Sequence, residues 1–280
     1  MTRRILTGIL LIIMASLLGA ESREVGSPEI RAERLVQEFR DSMYQHHHSD
    51  EVMRQAQRIL SADLGDLGLE SQERIYWDSL SLYYLGRAYQ SLDTVEAVLE
   101  QDSDVRGGKF KRIQTSIPEL SATVDAYERS LSGMETYLKK ERDSRGVWLY
   151  AQALSQLSTL KSLGYLLGNG TRIQPLAEEA LELDATNVKA ALLLASRFIY
   201  SPGIWGGNPD KGIAMLEELR GRGDKEDEHN IEIGTGFAHT MAKRWNQALP
   251  HFRNALEIYP GNVYALAMIT LCEQEIARQK

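Results

Sequence analysis

The chain is poor in cysteine, since Cys272 is the only one among its 280 residues. No intrachain disulfide can form, which excludes the disulfide-stabilised scaffolds of small exported proteins. A covalent dimer through Cys272 remains open. The interpretation that we favour is a small apolar side chain within the last helix.

The sequence also lacks the motifs of common enzyme classes. It contains no zinc-protease helix pattern, no phosphate-binding loop and no serine-elbow pentapeptide. No general acid–base pair or activated nucleophile can be assembled from the remaining side chains. We therefore expect a protein that is not an enzyme, with no catalytic residues and no cofactor.

Histidines give the strongest hint of a metal site, and we interpret them as structural. His46, His47 and His48 are consecutive, so on a helix they point about 100° apart and cannot all face one ion. A solvated helix end is the expectation there. His239 and His251 lie in one predicted hairpin and can approach each other, but a structural role is again expected, so no metal site is predicted.

Three other charged or glycine-rich stretches are also interpreted without a binding role. Gly107-Gly108 lies among basic residues and could form a small anion site, but no helix cap or strand accompanies it, so we expect a loop. Glu178-Glu179 and the run Lys225–Glu228 are expected to be solvated charge.

Positive charge is in deficit, with 32 Lys and Arg against 39 Asp and Glu. Nucleic-acid binding depends on Lys and Arg contacts to phosphate, so this balance argues against a nucleic-acid partner.

The one long apolar run, Ile5–Leu18, follows Arg3 and Arg4 and ends in Gly19-Ala20. It is shorter than the roughly 20 residues that a membrane-spanning helix needs, and its layout predicts a signal peptide over residues 1–20. The arginine pair also permits twin-arginine export, although general secretion is favoured. We expect a periplasmic or otherwise exported protein.

The end of that segment resembles a lipoprotein box in which Glu21 takes the place of the lipidated cysteine. Without the thiol no lipid can be attached, so a soluble protein is expected after cleavage. Because Leu18 suits the cleavage enzyme imperfectly, retention of the segment as an uncleaved anchor remains the alternative.

Residues 229–262 carry the clearest structural pattern in the chain. Gly236, Trp245, Ala248, Phe252, Ala255 and Pro260 stand in the order and spacing of a tetratricopeptide repeat, a helix–turn–helix unit of about 34 residues. The small residues let two helices approach closely, Phe252 and Trp245 fill the space between them, and Pro260 suits the end of the unit.

Weaker versions of the pattern cover most of the remaining chain, and no strand pattern of useful length is present. We predict an all-α fold: an α-solenoid of irregular tetratricopeptide-like hairpins with a C-terminal capping helix, in a single domain over residues 21–280. The expected hairpins are 28–66, 71–141, 146–186, 187–226 and 229–262, with a cap at 263–280. Within them, we predict a helix ending near residue 91 and a turn at Gly168-Asn169-Gly170.

An enlarged turn, SPGIWGGNPD at residues 201–210, precedes the best repeat. Gly206 and Gly207 permit backbone angles that other residues avoid, and Trp205 brings a large amphipathic ring to the turn. Trp205 either plugs the end of the hairpin or forms part of a ligand or partner surface.

In tetratricopeptide folds, the first helices of successive repeats line a concave groove. The repeat pattern places Ile233, Phe237 and Met241 there from the last hairpin, Tyr200 from the preceding one, and Tyr83 with Arg87 from the helix near residue 80. This lining is largely apolar or aromatic, which suits a hydrophobic peptide of a partner protein, an apolar ligand or another helix of the same chain.

The export signal, the degenerate hairpins, LYYLGRAY and PGIWGGNPDKGIAMLEEL together resemble the periplasmic T-component proteins associated with tripartite ATP-independent periplasmic (TRAP) transporters. Trp205, Gly206, Gly207, Asp210 and Lys211 carry that match. The resemblance implies a non-enzymatic accessory partner of a periplasmic substrate-binding protein in solute uptake. Many members are lipoproteins, from which Glu21 departs.

Two functions follow as hypotheses. The first is an exported scaffold whose concave face binds a partner protein or an apolar ligand. The second is a structural scaffold for cell-envelope assembly, in which the groove is filled by the chain itself. A homo-oligomer is compatible with either.

Overall fold

A computed structural model describes residues 26–45, 50–100, 120–201, 203 and 206–279, with only the backbone described at residues 50, 51, 91–100 and 120. The predicted signal peptide, His46–His48, Gly107-Gly108 and Trp205 lie outside the described residues. Eleven α-helices occupy the described part of the chain. They are α1 (Pro28–Gln45), α2 (Asp50–Asp66), α3 (Ser71–Glu100), α4 (Leu120–Leu138), α5 (Ser144–Leu160), α6 (Leu163–Leu183), α7 (Val188–Tyr200), α8 (Pro209–Leu219), α9 (Lys225–Met241), α10 (Trp245–Ile258) and α11 (Val263–Arg278).

Successive helices pack in pairs, so the fold is an all-α solenoid, as the sequence predicts. Each of α3, α5, α7 and α9 packs against the helix that follows it. These four, here called the inner helices, also contact one another in sequence order, α3 with α5, α5 with α7 and α7 with α9. The second helix of each pair then packs against the next pair, which makes the array continuous.

Local sequence signals explain where the inner helices begin. Asp143, Asn187 and Asp224 stand immediately before α5, α7 and α9, and each accepts a hydrogen bond from a backbone N–H in the first turn. Such caps satisfy donors that have no partner within the helix. At α8, Asn208 supplies the cap and Pro209 occupies the first turn, where its missing N–H costs nothing.

Close packing of α9 on α10 follows the repeat pattern found in the sequence. A Cβ atom placed on Gly236 would lie 3.0 Å from the ring of Phe252 and 3.2 Å from Cβ of His251. Phe252, Ala248 and Ala255 are fully buried, and Trp245 is 4% exposed. The predicted packing of these small and large residues is confirmed.

The turn predicted at Gly168-Asn169-Gly170 is wrong. Helix α6 runs without a break from Leu163 to Leu183, and the chain turns instead at Lys161 and Ser162, where Ser162 Oγ caps the backbone N–H of Tyr165. The glycines each weaken a helix by about 1 kcal/mol relative to alanine. Packing of α6 against α5 and α7 outweighs that cost.

The predicted helix end near residue 91 is also wrong, because α3 continues to Glu100. This long helix packs against five others: α1, α2, α4, α5 and α11. The contact with α11 was not expected. The last helix covers α10, as a cap should, but it also returns to α3 near the start of the array.

The apolar core has three parts. The largest extends from α1 through α7 and includes Tyr259 from the turn before α11, while a second joins α7, α8 and α9. The third lies between α10 and α11 and contains Cys272, whose thiol is fully buried. No described helix is both long and apolar enough to cross a bilayer.

Candidate binding surface

An aromatic pair lies where two inner helices end. Tyr200 is the last residue of α7, and its ring packs on that of Phe237 of α9, with centroids 4.7 Å apart and planes at 32°. Phe237 is 6% exposed, whereas Tyr200 is 54% exposed and Met241, the last residue of α9, is 37% exposed. A buried phenyl ring therefore supports the exposed ring of Tyr200, and the half-exposed Met241 lies one turn after Phe237 on α9.

Tyr200 also interacts electrostatically with residues of α3 and α11. Although solvent reaches about half of the residue, burial by the surrounding protein raises the pKa of its hydroxyl, an effect that the charge of Arg87 opposes. Burial also raises the pKa of Tyr264 of α11, which lies within electrostatic range of Tyr200 and Arg87.

Arg87 of α3 lies among tyrosine hydroxyls. It hydrogen-bonds to Tyr44 of α1 and interacts with Tyr83 and Tyr127. Burial alone would lower the pKa of Arg87, but these tyrosines raise it well above its usual value. The guanidinium is thus permanently charged, and it adds one polar group to an otherwise aromatic region.

The other site residues predicted from the sequence are more deeply placed. Tyr83 is 4% exposed, with its ring 6.0 Å from that of Tyr127 and 6.2 Å from that of Trp148. Ile233 packs against the apolar cluster between α10 and α11. Tyr83 and Ile233 thus belong to two different apolar clusters.

The enlarged turn is fixed to the end of α7. The backbone N–H of Asn208 donates to the carbonyl of Phe198 over 2.8 Å. Gly206 has a φ of +81°, in the left-handed region that favours glycine, and it is exposed; Gly207 is half-buried. The hydrogen bond from Asn208 therefore holds the end of this turn against the last turn of α7.

A buried ionic network lies at the opposite end of the inner helices, around the start of α9. Glu226 accepts hydrogen bonds from Lys189 Nζ at 2.8 Å and from Arg40 Nη1 at 3.4 Å. The hydroxyls of Tyr44 and Tyr84 donate to the same carboxylate, at 3.1 and 2.8 Å. The prediction that Lys225–Glu228 is solvated charge is therefore wrong, because Glu226 is 3% exposed and Asp227 is 4% exposed.

Opposite charge stabilises the ionised carboxylates in this network. Burial raises the pKa of Asp224, but Lys189 and Arg40 outweigh it and bring the pKa to about 2. The pKa of Glu226 is also lowered, because Lys189 and Arg40 outweigh the effect of burial. For Asp227, burial prevails and raises the pKa.

In the described residues, Asp224, Glu226 and Asp227 are the only three metal-ligating side chains with ligand oxygens within 4.8 Å of one another. Lys189 and Arg40 already bring two positive charges to these oxygens. We therefore interpret the cluster as an ion-pair network that joins helices. Sequence reasoning missed it because nothing local in Lys225–Glu228 shows which side chains lie opposite.

An open cleft of about 390 Å³ adjoins this network at the edge where α5, α7 and α9 begin. It is lined by Tyr76, Arg145, Trp148, Asp184, Thr186, Asn187, Val188, Lys189, Arg222, Gly223, Asp224 and Asp227. Its three cationic side chains face three carboxylates, and Arg145 also pairs with Glu73 and Asp143. The balanced charge gives this cleft no clear preference for an anion or a cation.

Comparisons with known proteins add little to this geometry. No protein-family model matches the chain, and no curated protein matches it in sequence. Among solved structures the chain is similar to YrrB, described as a TPR protein with an unusual peptide-binding site. The identity is 12%, the match covers 77% of this chain and 82% of that one, and the TM-score is 0.34. So low a score carries no argument about function, which must come from the contacts described above.

Proposed function

We propose that this protein is a non-catalytic binding scaffold that holds an apolar segment of a partner protein, or an apolar ligand, against the concave face formed by its inner helices. The observation that carries the proposal is the exposed surface of Tyr200 and Met241 over the buried ring of Phe237. On the sequence pattern, the proposal also includes Trp205, Gly206, Gly207, Ile233 and Tyr83 as binding residues.

The exposed part of Tyr200 is large enough to act as a binding anchor. Covering about 100 Å² of an aromatic side chain contributes roughly 2.5 kcal/mol at about 25 cal/mol per Å². Aromatic side chains in concave, desolvated positions supply much of the binding energy in protein interfaces. Phe237 fixes the ring of Tyr200 before a ligand arrives, which lowers the entropic cost of binding.

The finer part of the proposal rests on the sequence. Residues 1–20 direct export, and the resemblance to TRAP T-component proteins favours a periplasmic substrate-binding protein as the partner. Envelope assembly is the alternative. It is favoured by the way Arg40 and Tyr44 of α1 fill the end of the array opposite Tyr200.

Photo-crosslinking in cells tests the proposal. A photoreactive amino acid at position 241 should capture a defined partner or ligand, and Tyr200→Ser should abolish that adduct. Affinity for the captured molecule should fall about 30-fold, the equivalent of about 2 kcal/mol for a lost anchor. Unchanged helicity by circular dichroism would show that the variant is folded.

Leu183 supplies a matched control, because it is 49% exposed at the end of α6, an outer helix. Leu183→Ser should leave the adduct and the affinity unchanged. Equal capture by the Tyr200→Ser and Leu183→Ser variants would contradict binding at the concave face. Capture of envelope-assembly proteins by a photoreactive amino acid at position 183, and not by one at position 241, would favour the alternative function.

A further inference from the structure

The histidines of the described residues all lie in one hairpin, α9–α10. His229 and His239 belong to α9, and His251 belongs to α10. The same hairpin carries Phe237 and Met241 of the proposed binding surface. Histidine is the side chain whose charge normally changes between about pH 5 and 8, so mild acid acts on this hairpin.

His229, near the start of α9, is enclosed by aromatic rings and is 4% exposed. The centroid of its ring lies 5.0 Å from that of Tyr259 and 6.0 Å from that of Tyr44. Its Nδ1 lies 3.3 Å from the carbonyl oxygen of Ala255 of α10. A neutral imidazole with its proton on Nδ1 satisfies this contact, whereas a second proton would bury an extra charge.

The charges around His229 do not compensate for its burial. The charged side chains that act on the ring are Arg87 of α3 and Lys225 with Glu226 of α9, while α1 and the end of α10 face it with the two tyrosines. The carboxylate of Glu226 is already held by Lys189. Burial is the main cause that lowers the pKa of His229 to about 4, and the charge of Arg87 acts in the same direction.

His239 lies near the other end of α9, stacked on His251. The centroids of the two rings are 5.6 Å apart, and the ring planes differ by 22°. The backbone N–H of Arg244 donates to the carbonyl of His239 at 2.9 Å, so the turn after α9 folds back onto this residue. Among the described residues, the buried Nδ1 of His239 has no hydrogen-bond partner.

A proton on His251 differs in its consequences from a proton on His239. His251 Nδ1 lies 2.7 Å from Oε2 of Glu232, so a charged His251 forms an ion pair. A charged His239 would instead lie between two cations, the protonated ring of His251 and the guanidinium of Arg244. Protonation of the first ring therefore makes protonation of the second less favourable.

The carboxylates that face His239 come from α8 and already have partners. Asp210 accepts from Arg244 at 2.7 Å, and Glu217 accepts from Arg220 at 2.5 Å. Burial lowers the pKa of His239, and the charge of Arg244 lowers it further, although both carboxylates oppose these effects. The hairpin thus holds two rings that resist a proton, one near each end of α9.

We propose that the α9–α10 hairpin is an acid-sensitive element, which opens before the rest of the array as the pH falls from about 7.5 to 5.5. Neither His229 nor His239 accepts a proton in place, whereas both accept one once the hairpin opens. Opening displaces Phe237 and Met241, so mild acid releases whatever the concave face holds. This last step rests on the proposed function.

The pH window follows from the two lowered pKa values. Each histidine contributes stability that is fully present above the unfolded pKa of about 6.5 and is lost as the pH falls below it. A histidine that stays neutral in the closed hairpin makes opening about tenfold more favourable at pH 5.5 than at pH 7.5. His229 supplies that factor, and His239 adds to it.

Hydrogen–deuterium exchange of the full, unmodified chain measures opening without a partner. Peptides from α9 and α10 are followed at about pH 7.5 and 5.5, and each rate is divided by the intrinsic rate at that pH. Their protection should fall at least about tenfold at the lower pH. Protection of α5 and α6, which contain no histidine, should change less than about twofold. Equal changes in both pairs of helices would overturn the proposal.

Glutamine variants assign the effect to the histidines, because glutamine has a similar polar side chain and does not titrate. His229→Gln and His239→Gln should each reduce the acid-induced loss of protection in α9 and α10. Glu257→Gln, at an exposed position on α10, is the control that should leave the loss unchanged. An undiminished loss in both histidine variants would overturn the proposal.

Release from the concave face is tested separately, with the photoreactive amino acid at position 241. The yield of its adduct should fall at about pH 5.5 in step with the protection of α9. No adduct at either pH would contradict the proposed function, while the exchange result would stand. An equal yield at both pH values, despite lost protection, would overturn the release step.

Discussion

Single glycines decide how closely the helices of this array approach. Gly236 lies against the fully buried ring of Phe252, where an added Cβ would be 3.0 Å from the nearest ring atoms. Gly168, within α6, has nothing within 4 Å of the position that a Cβ would take. Packing therefore requires glycine at position 236, whereas nothing in the described residues requires it at position 168.

Substitution by valine should separate these two cases. Gly236→Val should lower the free energy of unfolding by about 1 to 3 kcal/mol, because the added methyl groups displace Phe252. Gly168→Val is the matched control and should change it by less than about 0.5 kcal/mol, since valine is tolerated at least as well as glycine in a helix. Urea denaturation followed by circular dichroism measures both. Similar losses in the two variants would contradict the packing argument.

Residue types predicted the packing role of Gly236 but not the burial of Glu226. The spacing of Gly236, Ala248 and Phe252 specified a helix–helix contact because all three lie within one hairpin. Glu226 looked like solvent-exposed charge, since its neighbours in sequence are charged as well. Its burial depends on Arg40, 186 residues away, which no local pattern reveals.

At the scale of the helices, three of them begin directly after an asparagine that caps the first turn. Asn187, Asn208 and Asn262 each cap the helix that follows. Asn187 also makes a hydrogen bond outside its own helix. Its side-chain amide donates to Ser144 Oγ at 2.8 Å, and that hydroxyl donates to the carbonyl of Ala180 at 2.6 Å. This chain of hydrogen bonds joins the starts of α5 and α7 to α6.

Alanine substitutions should show the difference between the two kinds of cap. Asn208→Ala should cost about 1 kcal/mol, the usual value for a lost cap at an exposed position. Asn187→Ala should cost about 2 kcal/mol, because it also removes the hydrogen bond that the buried Ser144 hydroxyl oxygen accepts. Thermal and urea unfolding provide the comparison. Equal losses would mean that the bond to Ser144 contributes nothing measurable.

Element boundaries were predictable at some helix starts and not where glycine suggested a break. The helix start at Pro28 lies where the sequence placed it, whereas α9 begins at Lys225, before the expected hairpin start at residue 229, even though Asp224 caps it. The predicted turn at residues 168–170 gave way to a continuous α6, because contacts with α5 and α7 outweigh a local helix penalty of a few kcal/mol. Helix α3 likewise continues past the expected end near residue 91, to Glu100.

At the scale of the whole molecule, helices from the beginning of the array contact helices from its end. Helix α11 packs on α3, and α1 is bound to the far end of the chain through several polar contacts. Arg40 pairs with Asp224 at 2.8 Å and with Glu226, while Asp41 accepts a hydrogen bond from Tyr259 at 2.7 Å. These contacts hold together parts of the chain that a simple linear solenoid would keep apart.

Removal of the central carboxylate should weaken the whole fold. Glu226→Gln should lower the free energy of unfolding at pH 7 by about 3 kcal/mol, because it leaves Arg40 and Lys189 buried with less compensating charge. Arg142→Ala provides the control, since its pair with Glu179 is exposed and should contribute less than about 1 kcal/mol. A Glu226→Gln variant as stable as the control would show that the network is energetically neutral.

Lowering the pH should weaken the contribution of the same network to the free energy of unfolding. The pKa of Asp224 is lowered to about 2 and that of Glu226 is also lowered, so their contributions are present above the unfolded pKa of about 4. They are lost as the pH falls from about 4 towards 2. Asp227, with its raised pKa, partly offsets them. Urea unfolding across this pH range should show a smaller loss in Glu226→Gln than in the unmodified chain.

The sequence by itself determined the all-α class, most helix starts and the packing of α9 on α10. These features depend on periodicity, caps and small residues that interact within a few tens of positions. Only the tertiary structure decided that Glu226 is buried, that α11 returns to α3, and that Tyr200 meets Phe237 beside Arg87. Those arrangements join residues distant in the chain, where burial and charge pairing depend on partners that the local sequence does not name.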